Sequence, residues 1–174
     1  MHLNRKGYML VEIVVASVLA MSIAYYLLNL TYKFKNTNED LYQSYNYMSD
    51  KILITKNIMN DLERGTVKTI DSISISSLTF KLCTINEYGV EIEKQRKLIV
   101  DKDNSIIKYG ELDETGRFDT SDLSYYEKKL DSSLIIGDLS LNDVENSNSV
   151  TIKIPIKSIY SDEVYTIKLF ANKQ

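Results

Sequence analysis

The chain has 174 residues and a formal net charge of −3, with 44% apolar and 26% charged residues, six Gly, one Pro, one Cys, one His and no Trp. That length supports one well-buried domain rather than two, the charged fraction excludes a disordered chain, and the single Cys excludes an intrachain disulfide or a multi-cysteine metal centre. The lone imidazole is His2, at the N-terminal end, so Ser-His or Cys-His catalysis and His-ligated zinc find no residues in the body of the chain.

Residues 8–30, YMLVEIVVASVLAMSIAYYLLNL, contain one charge, Glu12, and neither Gly nor Pro. As a helix this run rises about 34 Å, enough to cross a hydrocarbon core of about 30 Å. Apolar residues occupy every angular face, which a core helix of a soluble protein of this length rarely shows. Arg5 and Lys6 precede the run, and Tyr32, Lys33, Phe34 and Lys35 follow it. The flanking cations nearly balance, and the short N-terminal stub is expected on the cytoplasmic side with the larger part exported. No small-residue cleavage site of the secretory type follows closely. A carboxylate four residues into a membrane segment is costly unless it finds a partner.

The stretch Arg5-Lys6-Gly7-Tyr8-Met9-Leu10-Val11-Glu12 resembles the prepilin leader of type IV pilins and type II secretion pseudopilins: basic residues, Gly, an aromatic residue, three mostly apolar residues and Glu. Tyr8 stands where Phe is commoner and Met9 where Thr is common. The resemblance implies a leader of residues 1–7, cleavage by a membrane prepilin peptidase between Gly7 and Tyr8, and N-methylation of Tyr8. It further implies that the retained helix anchors the subunit in lipid and then packs in a filament core. Glu12 would there pair with the freed amine of Tyr8 on a neighbouring subunit and favour one docking register, because an uncompensated charge in the membrane is costly. Cleavage would remove Arg5, Lys6 and His2 and move the side-chain charge from −3 to −5.

Residues 31–65 read as the amphipathic second half of the same helix. Leu41, Tyr45, Met48, Ile52, Thr55, Met59 and Leu62 recur at spacings of four and three, with Asp40, Gln43, Asp50, Lys51, Asn57 and Asp61 off that face. Lys35-Asn36-Thr37-Asn38 are poor helix formers and fit a break or bend, and Gly65 fits a helix C-terminal stop. Too few heptads for a coiled-coil stalk favour packing onto a sheet.

From residue 66 to 174 the period changes to two. Leu78, Phe80 and Leu82 alternate with Thr79, Lys81 and Cys83, and Val150, Ile152, Ile154 and Ile156 alternate with Thr151, Lys153, Pro155 and Lys157. Ser161-Asp162-Glu163 separates the latter run from Tyr165, Ile167 and Leu169, which predicts a C-terminal hairpin. A second hairpin joins Leu98–Val100 to Ile106–Tyr109 through Asp101-Lys102-Asp103-Asn104. Pro155 cannot donate to a ladder and so marks an edge strand or a bulge. Residues 111–145 carry ten acidic and three basic residues and read as a loop-rich connection with a short helix or strand. The expected fold class is α+β and pilin-like, a long N-terminal helix packed on an antiparallel sheet.

Chemistry outside the leader is sparse. Asp113, Glu114, Asp119 and Asp122 offer hard oxygen ligands, and some pseudopilins bind calcium, but the spacing matches no EF-hand loop and a solvated acidic surface is the better reading. No metal or cofactor is expected. Cys83 is expected as a buried thiol, since no base stands ready to activate it. Lys94, Arg96, Lys97, Lys102 and Lys108 form a basic strip, offset by Asp101 and Asp103 and too small for direct nucleic-acid binding. Tyr supplies 13 of the 17 aromatic residues, which suits wet interfaces, and Tyr25, Tyr26, Tyr45 and Tyr47 are candidate subunit contacts.

The sequence therefore reads as a non-enzymatic minor pilin or pseudopilin acting in filament initiation or at the tip. Its expected partners are other pilin subunits, the prepilin peptidase, a membrane assembly platform and, before assembly, lipid. Its expected location is the cytoplasmic membrane with the C-terminal domain outside the cytoplasm. The alternatives are an adhesin or DNA-capture subunit of such a filament, and an unprocessed single-span protein with an extracytoplasmic sensor domain.

Overall fold

A computed structural model describes residues 4–86, 88–143, 148–159 and 164–173. One helix, α1 (Asn4–Leu62), leads into strands β1 (Gly65–Ile73), β2 (Ser77–Ile85), β3 (Glu91–Asp101), β4 (Ile106–Glu111), β5 (Tyr126–Lys129), β6 (Leu134–Ile136), β7 (Ser140–Asp143), β8 (Ser149–Ser158) and β9 (Val164–Lys173). The class is α+β with a long N-terminal helix, as the periodicity implies. The chain divides into two compact units after Ser44, within α1.

In the first unit the helix runs unbroken through Lys35-Asn36-Thr37-Asn38, where poor helix formers suggested an interruption. Thr37 Oγ1 donates to the Lys33 carbonyl at 3.0 Å, and Lys35 faces Glu39 one turn on at 3.9 Å. The first contact occupies the Thr37 hydroxyl, which would otherwise compete with the helix, and the second adds an i, i+4 ion pair.

In the second unit the last five or so turns of α1 pack on the sheet. The buried positions are Tyr47, Asp50, Ile54, Ile58 and Leu62, with Met59 packed beside them. The predicted face holds at its end, in Met59 and Leu62, but Leu41, Tyr45, Met48 and Ile52 are all exposed. The two stripes differ by one residue, or about 100° of rotation. The packed stripe was hidden because Asp50 and Asp61, read as solvent-facing, lie on or beside it with basic partners, Lys128 and Arg96.

The sheet order is β5-β4-β3-β2-β1-β9-β8-β6, with β7 also on β8. All pairings are antiparallel except β1 with β9, which is parallel and confined to Thr66↔Asn172 and Val67↔Lys173. Both predicted hairpins form: β3–β4 pairs Leu98 with Tyr109 and Val100 with Ile107, and β8–β9 pairs Ile152 with Leu169 and Ile154 with Ile167. The Ser161-Asp162-Glu163 turn lies outside the described residues. Leu78, Phe80 and Leu82 all face the core, which also takes Val100, Ile107, Ile152, Ile154, Ile156, Ile167 and Leu169. The acidic stretch holds three short strands, β5, β6 and β7, and no helix among the described residues.

Pro155 is neither on an edge strand nor at a bulge. β8 has β9 on one side, and on the other its partner changes from β7 at Val150–Lys153 to β6 at Ile156–Ser158. Pro155 sits at that changeover, where its missing N–H leaves no ladder bond unmade, and its carbonyl accepts from Gly137 N at 2.8 Å. Gly65 is likewise not a left-handed helix cap. It opens β1 opposite Thr84, and an added Cβ would stand 2.7 Å from the Cys83 carbonyl oxygen and 2.8 Å from Leu82 Cγ. Gly65→Ala is therefore expected to destabilise the second unit by about 1–3 kcal/mol, read as a lower urea midpoint; an unchanged midpoint would contradict this close approach.

Candidate assembly site

Gly7 and Tyr8 lie in the helical backbone near the start of α1, and Glu12 follows one turn later. Glu12 lies four residues beyond Tyr8, about 6 Å further along the axis. Glu12 is exposed and has no cationic partner among the described residues. From Met9 to Asn29 every side chain is exposed, and the helix is long and apolar enough to cross a membrane. The Ser and Thr hydroxyls in and just after this run bond within the helix. Ser17 donates to the Val14 carbonyl, Ser22 to Val18 and Thr31 to Leu27, each at 2.8 Å. That internal satisfaction is what a helix surrounded by hydrocarbon requires.

Of the candidate contact tyrosines, Tyr25, Tyr26 and Tyr45 are exposed. Tyr47 is buried instead, stacked on Tyr165 with ring centroids 4.2 Å apart, so it is a core residue rather than a contact for another chain.

The most organised polar cluster lies where the end of α1 meets β3 and β4, and the sequence offered no direct sign of it. Arg96, 3% exposed, donates from Nε to Asp61 Oδ2 at 2.9 Å and from Nη2 to Asp61 Oδ1 at 3.2 Å. Its Nη1 donates to Glu111 Oε2 at 2.7 Å, and Tyr109 Oη donates to Asp61 Oδ2 at 2.6 Å. Lys94 Nζ completes the set, reaching Glu111 Oε2 at 2.6 Å and Asp122 Oδ2 at 3.4 Å. Burial alone would lower the Arg96 pKa, but the hydrogen bonds and charge of Asp61, with Glu111 behind them, raise it above its ordinary value. Burial, then the Asp61 carboxylate, push the Tyr109 phenol well above its ordinary value. The cluster is a set of satisfied ion pairs, and its geometry fits holding a helix on a sheet.

The remaining charges are similarly occupied. Of the predicted basic strip, Lys94 and Arg96 belong to this cluster, Lys102 pairs with Asp138, and Lys108 pairs with Glu127 at 3.2 Å. A strip whose cations mostly face carboxylates presents no coherent positive surface to phosphate. The acidic loop uses its carboxylates as local turn caps. Asp113 accepts from Thr115 N and Oγ1 at 2.8 and 2.7 Å, Asp119 from Ser121 N and Oγ at 2.9 and 2.6 Å, and Asp131 from Ser133 N and Oγ at 2.9 and 2.7 Å. Asp122 does the same with Ser124. The pattern Asp-x-Ser/Thr was the legible signal for these turns. Among the described residues no group of three or more His, Cys, Asp or Glu side chains is arranged to hold a metal. Cys83 is a buried free thiol on the face of β2 away from the main core, and its pKa is raised, first by desolvation and then by Glu91.

Comparison of the chain with protein families, curated proteins and solved structures finds no match.

Asp122 makes the polar cluster testable by pH. Burial would raise its pKa, but the Ser124 hydroxyl and N–H, then Glu111 and Arg96, hold it well below the ordinary carboxylate range. A depressed folded-state pKa contributes stability that is full above the unfolded value of about 3.9 and is lost as pH falls below it. The urea midpoint is therefore expected to fall steeply below about pH 4, and Asp122→Asn to flatten that acid limb while lowering stability near neutrality. An acid limb of unchanged slope in Asp122→Asn would contradict this assignment.

Proposed function

We propose that the chain is a minor subunit of a type IV pilus-like filament, inserted in the cytoplasmic membrane, processed between Gly7 and Tyr8, and acting without enzymatic activity of its own in filament initiation or at the tip. The observation that carries this reading is a leader-like stretch, Arg5 to Glu12, on the same continuous helix as an apolar run whose side chains are all exposed from Met9 to Asn29. An apolar surface of that length requires lipid or other helices around it. Glu12 then has a defined task. Buried among helices it needs a cation, and the new amine at Tyr8 of a neighbouring subunit supplies one. The globular unit fits the same role, since its most buried ion pairs hold the helix on the sheet and its acids cap turns.

Mass spectrometry of the membrane-derived protein tests the reading. The expected mature chain begins at N-methylated Tyr8. A chain beginning at Met1 in a host with active prepilin peptidase would overturn it in favour of an unprocessed single-span membrane protein. Glu12→Ala is expected to leave membrane insertion and cleavage intact while removing the subunit from sheared filaments, read by immunoblot of the membrane and filament fractions. Deletion of the chain is expected to lower filament number sharply, whereas an unimpaired count would remove initiation from its role.

A further inference from the structure

The outer face of β8–β9 carries an unusual pair. Lys153 and Lys168 stand directly opposite each other across the two strands, and neither has an acidic partner among the described residues. Like charges in that position repel at a Cβ separation of about 5 Å, so folding gains nothing from them. Phe170, one step further along the same face of β9, is half exposed. The result is a cationic pair beside an aromatic surface, in a chain that is acidic overall.

The complementary surface is at the other end of the strand order. The loop between β4 and β5 holds Asp113, Glu114 and Asp119 with one cation of its own, Arg117, while Asp122 turns to Lys94 and Arg96, and from the loop Leu123 projects fully exposed. The Asx turns at Asp113, Asp119 and Asp122 fix the loop's shape, so an apolar tip is presented on an ordered acidic support. Each surface carries what the other lacks: cations against carboxylates, and Phe170 against Leu123.

We propose that the β8–β9 face receives the β4–β5 loop of a second copy of this chain, with Lys153 and Lys168 opposite Asp113 and Glu114 and Leu123 against Phe170. Because the two patches lie on different parts of one chain, the contact is heterologous, the loop of one copy on the sheet face of the next. The interface is small, and anchoring of both copies in one membrane or filament supplies the effective concentration it needs. The inference rests on the filament reading for that anchoring alone, and its test is separate from the mass of the N-terminus.

The test is disulfide trapping between two differently tagged full-length copies in detergent micelles. One carries Thr120→Cys in the loop and the other Thr151→Cys on the receiving face, which leaves Leu123 and Phe170 in place. The mixed disulfide is expected to exceed either homodimer. Lys168→Glu in the receiving copy is expected to lower its yield about tenfold. The same substitution gives Lys153 an opposite charge across the strands, so thermal stability is expected to hold or rise, which separates lost docking from lost folding. Glu114→Lys in the loop copy, which leaves the Asp113 turn in place, is expected to recover trapping by the Lys168→Glu copy. A mixed yield no greater than the homodimers, or one indifferent to Lys168→Glu, would overturn the proposal. So would an oligonucleotide whose binding is lost in Lys168→Glu while trapping is unchanged, because the lysine pair would then belong to a polyanion.

Discussion

The globular unit depends on one buried guanidinium. Arg96 is on the inner face of β3, where the pairing with Phe80 places it among apolar neighbours, and its charge is matched by Asp61 in the last turn of α1. A planar fork meeting a carboxylate through two N–H donors fixes distance and orientation together, which apolar contacts alone do not. Tyr109 from β4 donates to the same carboxylate and Glu111 takes the remaining arm, so helix end, central strands and acidic loop share one set of hydrogen bonds. Both charges had to be desolvated to form it. The arrangement is stable only because nearly every donor and acceptor is used.

α1 is in this sense two helices with different surroundings. From Tyr45 onward its buried side chains are chosen by the sheet, and large aliphatic residues at Ile54, Ile58 and Leu62 meet the inner faces of β2, β3, β4, β8 and β9. Before Ser44 no such surface constrains it, and its apolar residues are continuous around the circumference. A soluble domain would pay a solubility penalty for that first segment. In the filament subunit proposed above, that segment would pass from lipid to a helical assembly, with Glu12 supplying the polarity that apolar packing lacks.

Much of this was readable from local pattern. Period-two alternation located β2, β8 and β9, the Asp101–Asn104 turn located the β3–β4 hairpin, and the apolar run located the exposed half of α1. Gly7, Tyr8 and Glu12 carry the leader-like resemblance, and all three lie on the one helix α1. The packed face of the helix was not legible, because Asp50 and Asp61 are charged and their partners, Lys128 and Arg96, are far away in the chain. The same blindness to distance made Lys94, Arg96, Lys102 and Lys108 look like a basic strip when each is opposite a carboxylate. Gly65 was misread for a related reason: its small size answers to the Cys83 carbonyl on the neighbouring strand, not to its own backbone angle. The parallel β1–β9 pairing joins residues over 100 positions apart and leaves no local trace.

The central claim is that the Asp61–Arg96 pair holds the end of α1 on the sheet, and a double-mutant cycle measures it directly. Asp61→Leu, Arg96→Met and the double variant would be unfolded in urea under one set of conditions. Each single substitution strands a buried charge and is expected to cost about 3–5 kcal/mol, while the double variant costs much less than their sum, giving a coupling above about 2 kcal/mol. Additive effects, with coupling near zero, would show that the two residues act independently and would contradict the account.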